Sequence, residues 1–156
     1  MPSLFKAFGD KERLFKSATD FYWDTYYVPM LADLETTPNV EEAFKFLLES
    51  LVDLYTAHAP MRGCLIITGA TNCTPQNAAV VTWTAQYRDR IQSAIHGRLA
   101  RAVSEKQISS SLLLSMFAEF YGTLIVGMAT RARDNATTDM LLSTVSLAIE
   151  PLEIDI

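Results

Sequence analysis

Residues 39 to 55 read NVEEAFKFLLESLVDLY, and this stretch decides the fold class. Ala43, Phe44, Leu47, Leu48, Leu51 and Tyr55 recur at intervals of three and four, which gathers them on one face of a helix. Asn39, with Glu42 three residues on, forms a start resembling a capping box, because the Asn side chain can accept from a first-turn N–H. No other segment reads as plainly amphipathic.

Outward from it, the punctuation divides the chain into helix-length pieces with little that reads as strand. Upstream, Gly9 suits a left-handed helix cap, and Asp10 suits the N-cap of a helix with Glu12 in its first turn. That helix is expected to reach about Tyr27 and fade at Pro29, with Glu35 to Pro38 as a loop. Downstream, His58, Ala59, Pro60 and Gly63 break the quoted helix. The run Cys64 to Ala70 fits a strand or a short buried helix by periodicity alone, and helix is the reading taken. Thr74 and Pro75 make an N-cap and first-turn pair, after which Val80, Trp83, Tyr87, Ile91, Ile95 and Leu99 carry a helical stripe to about Val103. Arg88, Asp89, Arg98 and Arg101 fall on the opposite face. Serines 109 to 111 offer N-caps for a helix to about Arg131, and residues 134 to 138 turn into a last helix ending near Pro151. The expected fold is all-α.

At 156 residues the chain suits one domain, and 49% hydrophobic against 20% charged residues is enough apolar content for a core. A net charge of −5 argues against the whole chain enveloping nucleic acid. Two cysteines and no opening signal peptide point to the reducing cytoplasm. Leu112 to Ala129 is nearly as long as a spanning helix, but Glu119 at its centre favours a helix buried in protein over one in a membrane.

Between Gln107 and Thr130 the only charged side chain is Glu119, so this helix needs cover on more than one side. The last helix has a similarly wide stripe through Leu141, Leu142, Val145, Ala148, Ile149 and Leu152. A second copy of the chain is the economical cover. The expected homodimer interface is Ala118, Gly122, Ile125, Leu142, Val145 and Ile149, with Ala118 and Gly122 small enough for close helix approach.

Catalytic chemistry finds no support in the residues. Cys64 near His58 lacks an acid at a diagnostic spacing and reads as core, and His58 and His96 are too few and too far apart for a metal site. No Gly-rich phosphate loop is present, so neither a cofactor nor an enzymatic activity is expected. The aromatic residues stand out instead. Tyr22 and Tyr26, Phe44 and Leu48, Trp83 and Tyr87, and Phe117 and Tyr121 are pairs four apart on four helices, each pair able to share one face. Together they suit an apolar cavity with a few polar tips.

The opening run Ser3-Leu4-Phe5-Lys6-Ala7-Phe8-Gly9-Asp10-Lys11-Glu12-Arg13-Leu14-Phe15 resembles the end of the helix-turn-helix of tetracycline-repressor-like (TetR family) transcription factors. There a Ser or Thr, a Leu-Tyr pair, a Phe, a Gly and a Lys-Glu-x-Leu string follow in this order; Phe5 stands in place of the usual Tyr. Arg62-Gly63-Cys64-Leu65 resembles the family's central region more weakly. The resemblance implies a TetR-like C-terminal ligand-binding and dimerisation bundle over residues 10–156, with residues 1–9 the remnant of the DNA-recognition helix. It further implies that Ser3, Phe5, Lys6 and Lys11 lie near DNA in an intact protein, and that operator DNA is reached only through helices expected upstream of Met1. The eight paired residues become the expected lining for a small apolar or aromatic effector. The alternative is a stand-alone helical homodimer that binds a ligand or protein without DNA.

Overall fold

The computed structural model describes residues 9–70, 73–108 and 111–153, with the side chains of residues 111–113 and 153 excepted. Its helices are α1 (Lys11–Tyr22), α2 (Val28–Thr36), α3 (Val40–Thr56), α4 (Leu65–Thr68), α5 (Ala78–Ser104), α6 (Ser111–Arg133) and α7 (Thr138–Glu153). Among the described residues the fold is all-α.

The helix expected to fade at Pro29 instead runs on to Thr36. Trp23–Tyr27 forms a π turn joining α1 to α2, with the Val28 N–H bonded to the Trp23 carbonyl five residues back. A proline inside an α-helix both lacks a donor and crowds the carbonyl four residues earlier. The wider turn just before Pro29 resets the ladder, so Pro29 falls in the first turn of α2, where no N–H is needed.

Asp10 and Asn39 cap as expected, their side chains accepting from Arg13 N–H at 2.8 Å and Glu42 N–H at 2.9 Å. Thr74 does not. Pro75–Asn77 is a 3-10 turn ahead of α5, closed by the Thr74 carbonyl, while among the described residues the Thr74 hydroxyl meets the Gln76 and Asn77 side chains. The apolar run after Cys64 forms the short helix α4. Gly63, at φ +107°, brings the preceding loop against α6, where a Cβ would stand 3.4 Å from the Ala129 carbonyl oxygen.

Helix α3 is the hub, packed on α2, α5, α6 and α7. All six residues of its sequence stripe are buried. Helix α6 lies mainly on α5 and α3, and α7 on α3, while α6 and α7 touch each other only sparsely. Both therefore keep an outward side. No helix among the described residues is long and apolar enough to cross a membrane.

Candidate functional site

The residues expected to line one effector cavity fall into two aromatic clusters. In the first, Tyr22 and Tyr26 tilt together with ring centroids 5.0 Å apart, Trp23 stacks on Tyr27 at 5.2 Å, and Trp23 reaches Tyr87 of α5 at 4.9 Å. In the second, Phe44 meets Tyr121 at 4.5 Å, with Phe117 and Phe120 beside it. Phe44, Leu48 and Tyr121 are fully buried, whereas Tyr22, Tyr26, Tyr87 and Phe117 are half-buried. Trp83 is also half-buried and leaves the core stripe of α5, facing Lys16 of α1 with the ammonium 6.0 Å from its ring. The reason is geometric: Val80, Ile91, Ile95 and Leu99 turn toward the core, and the N-terminal half of α5 instead meets α1, a more polar neighbour.

Beneath the first cluster lies a buried hydroxyl and thiol network. The Tyr27 hydroxyl is 3.2 Å from that of Tyr55 and 3.1 Å from Cys64 Sγ. Burial pushes the ionisation of Tyr22, Tyr27, Tyr55 and Cys64 upward, so the thiol is held in its neutral form. This matches the reading of Cys64 as core. The Tyr121 hydroxyl is likewise satisfied, donating to the Ala148 carbonyl of α7 at 2.9 Å.

Helix α1 is tied to α5 at one polar point that the sequence does not announce. The Tyr87 hydroxyl donates to the Asp20 carboxylate, which also takes the Lys16 ammonium at 2.7 Å. Partial burial works to raise the Asp20 pKa, but the Lys16 and Tyr87 hydrogen bonds outweigh it and hold the carboxyl below its usual value. Burial and the Asp20 carboxylate push Tyr87 up to about 12. Ser3, Phe5 and Lys6 lie outside the described residues, and Lys11 is exposed at the start of α1.

The six residues expected at a homodimer interface mostly serve the chain's own core. Ala118, Ile125, Val145 and Ile149 are buried within the single chain, and Leu142 is half-buried. Gly122 does permit a close approach, but to α5: a Cβ there would come within 2.2 Å of Gln92 Oε1, and Gln92 donates to the Ala118 carbonyl at 3.0 Å. What faces outward is a different stripe. Met116, Phe120, Thr123 and Gly127 follow one another along α6 at three and four, and Met140, Thr144 and Leu147 do the same along α7. Met116 is 61%, Phe120 43%, Met140 60% and Leu147 65% exposed. Phe120, Thr123, Gly127, Met140 and Thr144 help line a cleft of about 600 Å³ between the two helices. A Cβ on Gly127 would meet nothing within 4 Å.

Another correction concerns Arg98, placed by periodicity on the polar face of its helix. It is only 3% exposed and donates through Nη2 to the Thr37 and Pro38 carbonyls. Among the described residues, no three His, Cys, Asp or Glu side chains gather as a metal site.

No protein-family model matches the chain. Its sequence is similar to the HTH-type transcriptional repressor BdcR of Escherichia coli (strain K12), 24% identical over 152 residues, which cover 97% of this chain and 72% of that protein. It is also similar to the HTH-type transcriptional repressor ComR of the same organism, 23% identical over 142 residues, covering 90% and 68%. Among solved structures, it superimposes with a TM-score of 0.87 and 28% identity on the TetR family transcriptional regulator CifR, in a cysteine mutant complexed with 26-bp double-strand operator DNA, covering 96% of this chain and 78% of that one.

Proposed function

As a member of the TetR family of transcriptional regulators, the chain is, we propose, the dimerising and effector-binding part of a repressor that leaves its operator when a small apolar or aromatic ligand binds. Two relatives named as repressors and a relative bound to operator DNA support that reading. The DNA-reading head is the one to which residues 1–9 belong, and Lys11, at the start of α1, lies near the phosphates.

The observation that carries the homodimer is the outward stripe of Met116, Phe120, Met140 and Leu147 flanking an apolar cleft. Exposed apolar surface of this kind is costly in water and is covered cheaply by a symmetric copy, with Gly127 allowing close backbone approach. The interface proposed from the sequence is thus kept on the same two helices and moved to their outer faces.

The effector acts at the first aromatic cluster. Tyr22 ends α1, Tyr26 lies in the π turn after it, and Tyr87 bonds to α1 through Asp20. A ligand wedged there shifts α1 relative to the bundle, and its differential affinity for the two positions supplies the coupling to DNA. Phe44, Leu48, Phe117 and Tyr121 form the wall behind.

Light scattering of the chain should give twice the monomer mass at micromolar concentration. A stable, folded monomer would overturn the dimer. A thermal-shift screen of apolar and aromatic compounds should find stabilisers, because a ligand that binds only the folded state raises the melting temperature by mass action.

A further inference from the structure

A cleft of about 630 Å³ lies between α2 and the C-terminal half of α5, lined by Trp23, Val28, Leu31, Ala94, Gly97 and Arg98, among others. None of the eight residues assigned above to the effector lines it, although Trp23 of the first aromatic cluster does. We propose that it is a second binding site, taking a monoanionic amphiphile whose carboxylate meets Arg98 and whose apolar tail lies along Trp23, Leu31 and Ala94.

The argument rests on Arg98. Its Nη2 serves the Thr37 and Pro38 carbonyls at 3.1 and 3.0 Å, but Nε and Nη1 are buried and have no acceptor among the described residues. Nor does any carboxylate among them pair with it. A buried guanidinium retains its charge, and its unmade hydrogen bonds are a standing cost that an oxyanion removes. Burial and the neighbouring Arg101 pull Arg98 below its ordinary pKa, against the opposing charge of Glu105, which is itself paired with Arg101.

The second cation at the cleft is spent. Arg101 pairs through Nε with Glu105 at 2.7 Å, and its Nη1 donates to the Glu35 carbonyl. One unspent cation suits a monoanion better than a phosphate dianion. The remaining walls are mostly apolar, with exposed Glu35 and Ser93 the polar exceptions, and the Glu35 carboxylate further disfavours a dianion; the volume lies within the range of small-molecule sites.

Calorimetric titration of the full chain with decanoate and with decanol, both below the concentrations at which they aggregate, tests the assignment. Decanoate should bind once per chain and at least about tenfold more tightly than decanol, as expected for a hydrogen bond to a charged group. Arg98→Gln should bring the acid down to the affinity of the alcohol. Because Arg98 also holds the loop at Thr37, Gly97→Leu provides a variant independent of it: a Cβ at Gly97 meets nothing within 4 Å, so the chain folds while the new side chain occupies the cleft. Both ligands should then bind at least about tenfold more weakly. Equal binding of acid and alcohol by the unmodified chain, no binding of decanoate, a preference for acid that survives Arg98→Gln, or unchanged binding in Gly97→Leu would each overturn the site. The repressor reading, tested through dimerisation, would be untouched by such a failure.

Discussion

Two neighbouring residues of α7 separate core from interface, and placing the same charge at each tests the proposed dimer. Val145 is 2% exposed and sits against the hub helix; Leu147, two residues on, is 65% exposed. Val145→Asp removes a buried aliphatic side chain worth about 1.5–3 kcal/mol and leaves an unpaired carboxylate costing several kcal/mol more. Against a total stability of about 5–15 kcal/mol, that variant should be largely unfolded. Leu147→Asp forfeits about a third of a leucine's burial in the single chain, so its cost there is about 0.5–1 kcal/mol. In a two-fold dimer the new carboxylate is desolvated once in each copy, a combined penalty of several kcal/mol on association, or a thousandfold or more in the dissociation constant. Light scattering should report a monomer for Leu147→Asp, and circular dichroism a helical chain melting within a few degrees of the parent. Retention of the dimer by folded Leu147→Asp would refute the assignment of the outer face.

Three further outcomes follow from the packing. Phe44→Ala, in the core beside Tyr121, should cost about 3–5 kcal/mol in chemical denaturation; Trp83→Ala, half-buried over Lys16, should cost clearly less, and an equal cost would mean that Trp83 is core after all. Tyr27→Phe removes the hydroxyl between Tyr55 and Cys64 and should lower stability by about 1–3 kcal/mol, with the dimer intact; no loss would show that the network is replaceable by packing. Asp20, whose folded pKa is depressed, contributes stability that is present above its ordinary carboxyl value and is lost as pH falls through the folded one. Asp20→Asn should therefore be less stable than the parent at neutral pH and equal to it in strong acid, and a pH-independent difference would remove the ionised carboxylate from the account.

The helices were legible because their information is local: spacing and caps at Asp10 and Asn39 act within a few residues. The turn at Trp23 to Tyr27 was not, because the rule that proline ends a helix omits the option of widening the turn before it. Arg98 was misplaced for a related reason. Periodicity sorts side chains by hydropathy, while this guanidinium is drawn inward by carbonyls at Thr37 and Pro38, about sixty residues away in sequence. Such a partner leaves no trace in the spacing of α5 itself.

The face of the proposed dimer is hard to read from sequence for a different reason. On α6 the sequence shows apolar or small residues nearly all round, so a stripe through Ala118, Gly122 and Ile125 and one through Met116, Phe120 and Gly127 are equally good candidates for exposure. Only the positions of α3 and α5 decide between them. Tyr121 and Ile125 are fully buried, and Gln92 closes over Gly122. Once the first stripe is consumed by the chain itself, the second still has Phe120 and Met116 in water, and nothing within the described residues covers them. A helix that must be hydrophobic on the side its own fold does not use is evidence of a partner. For the proposed dimer, the uncharged length of α6 points to the helix, and what packs beneath it decides which face is left for a partner.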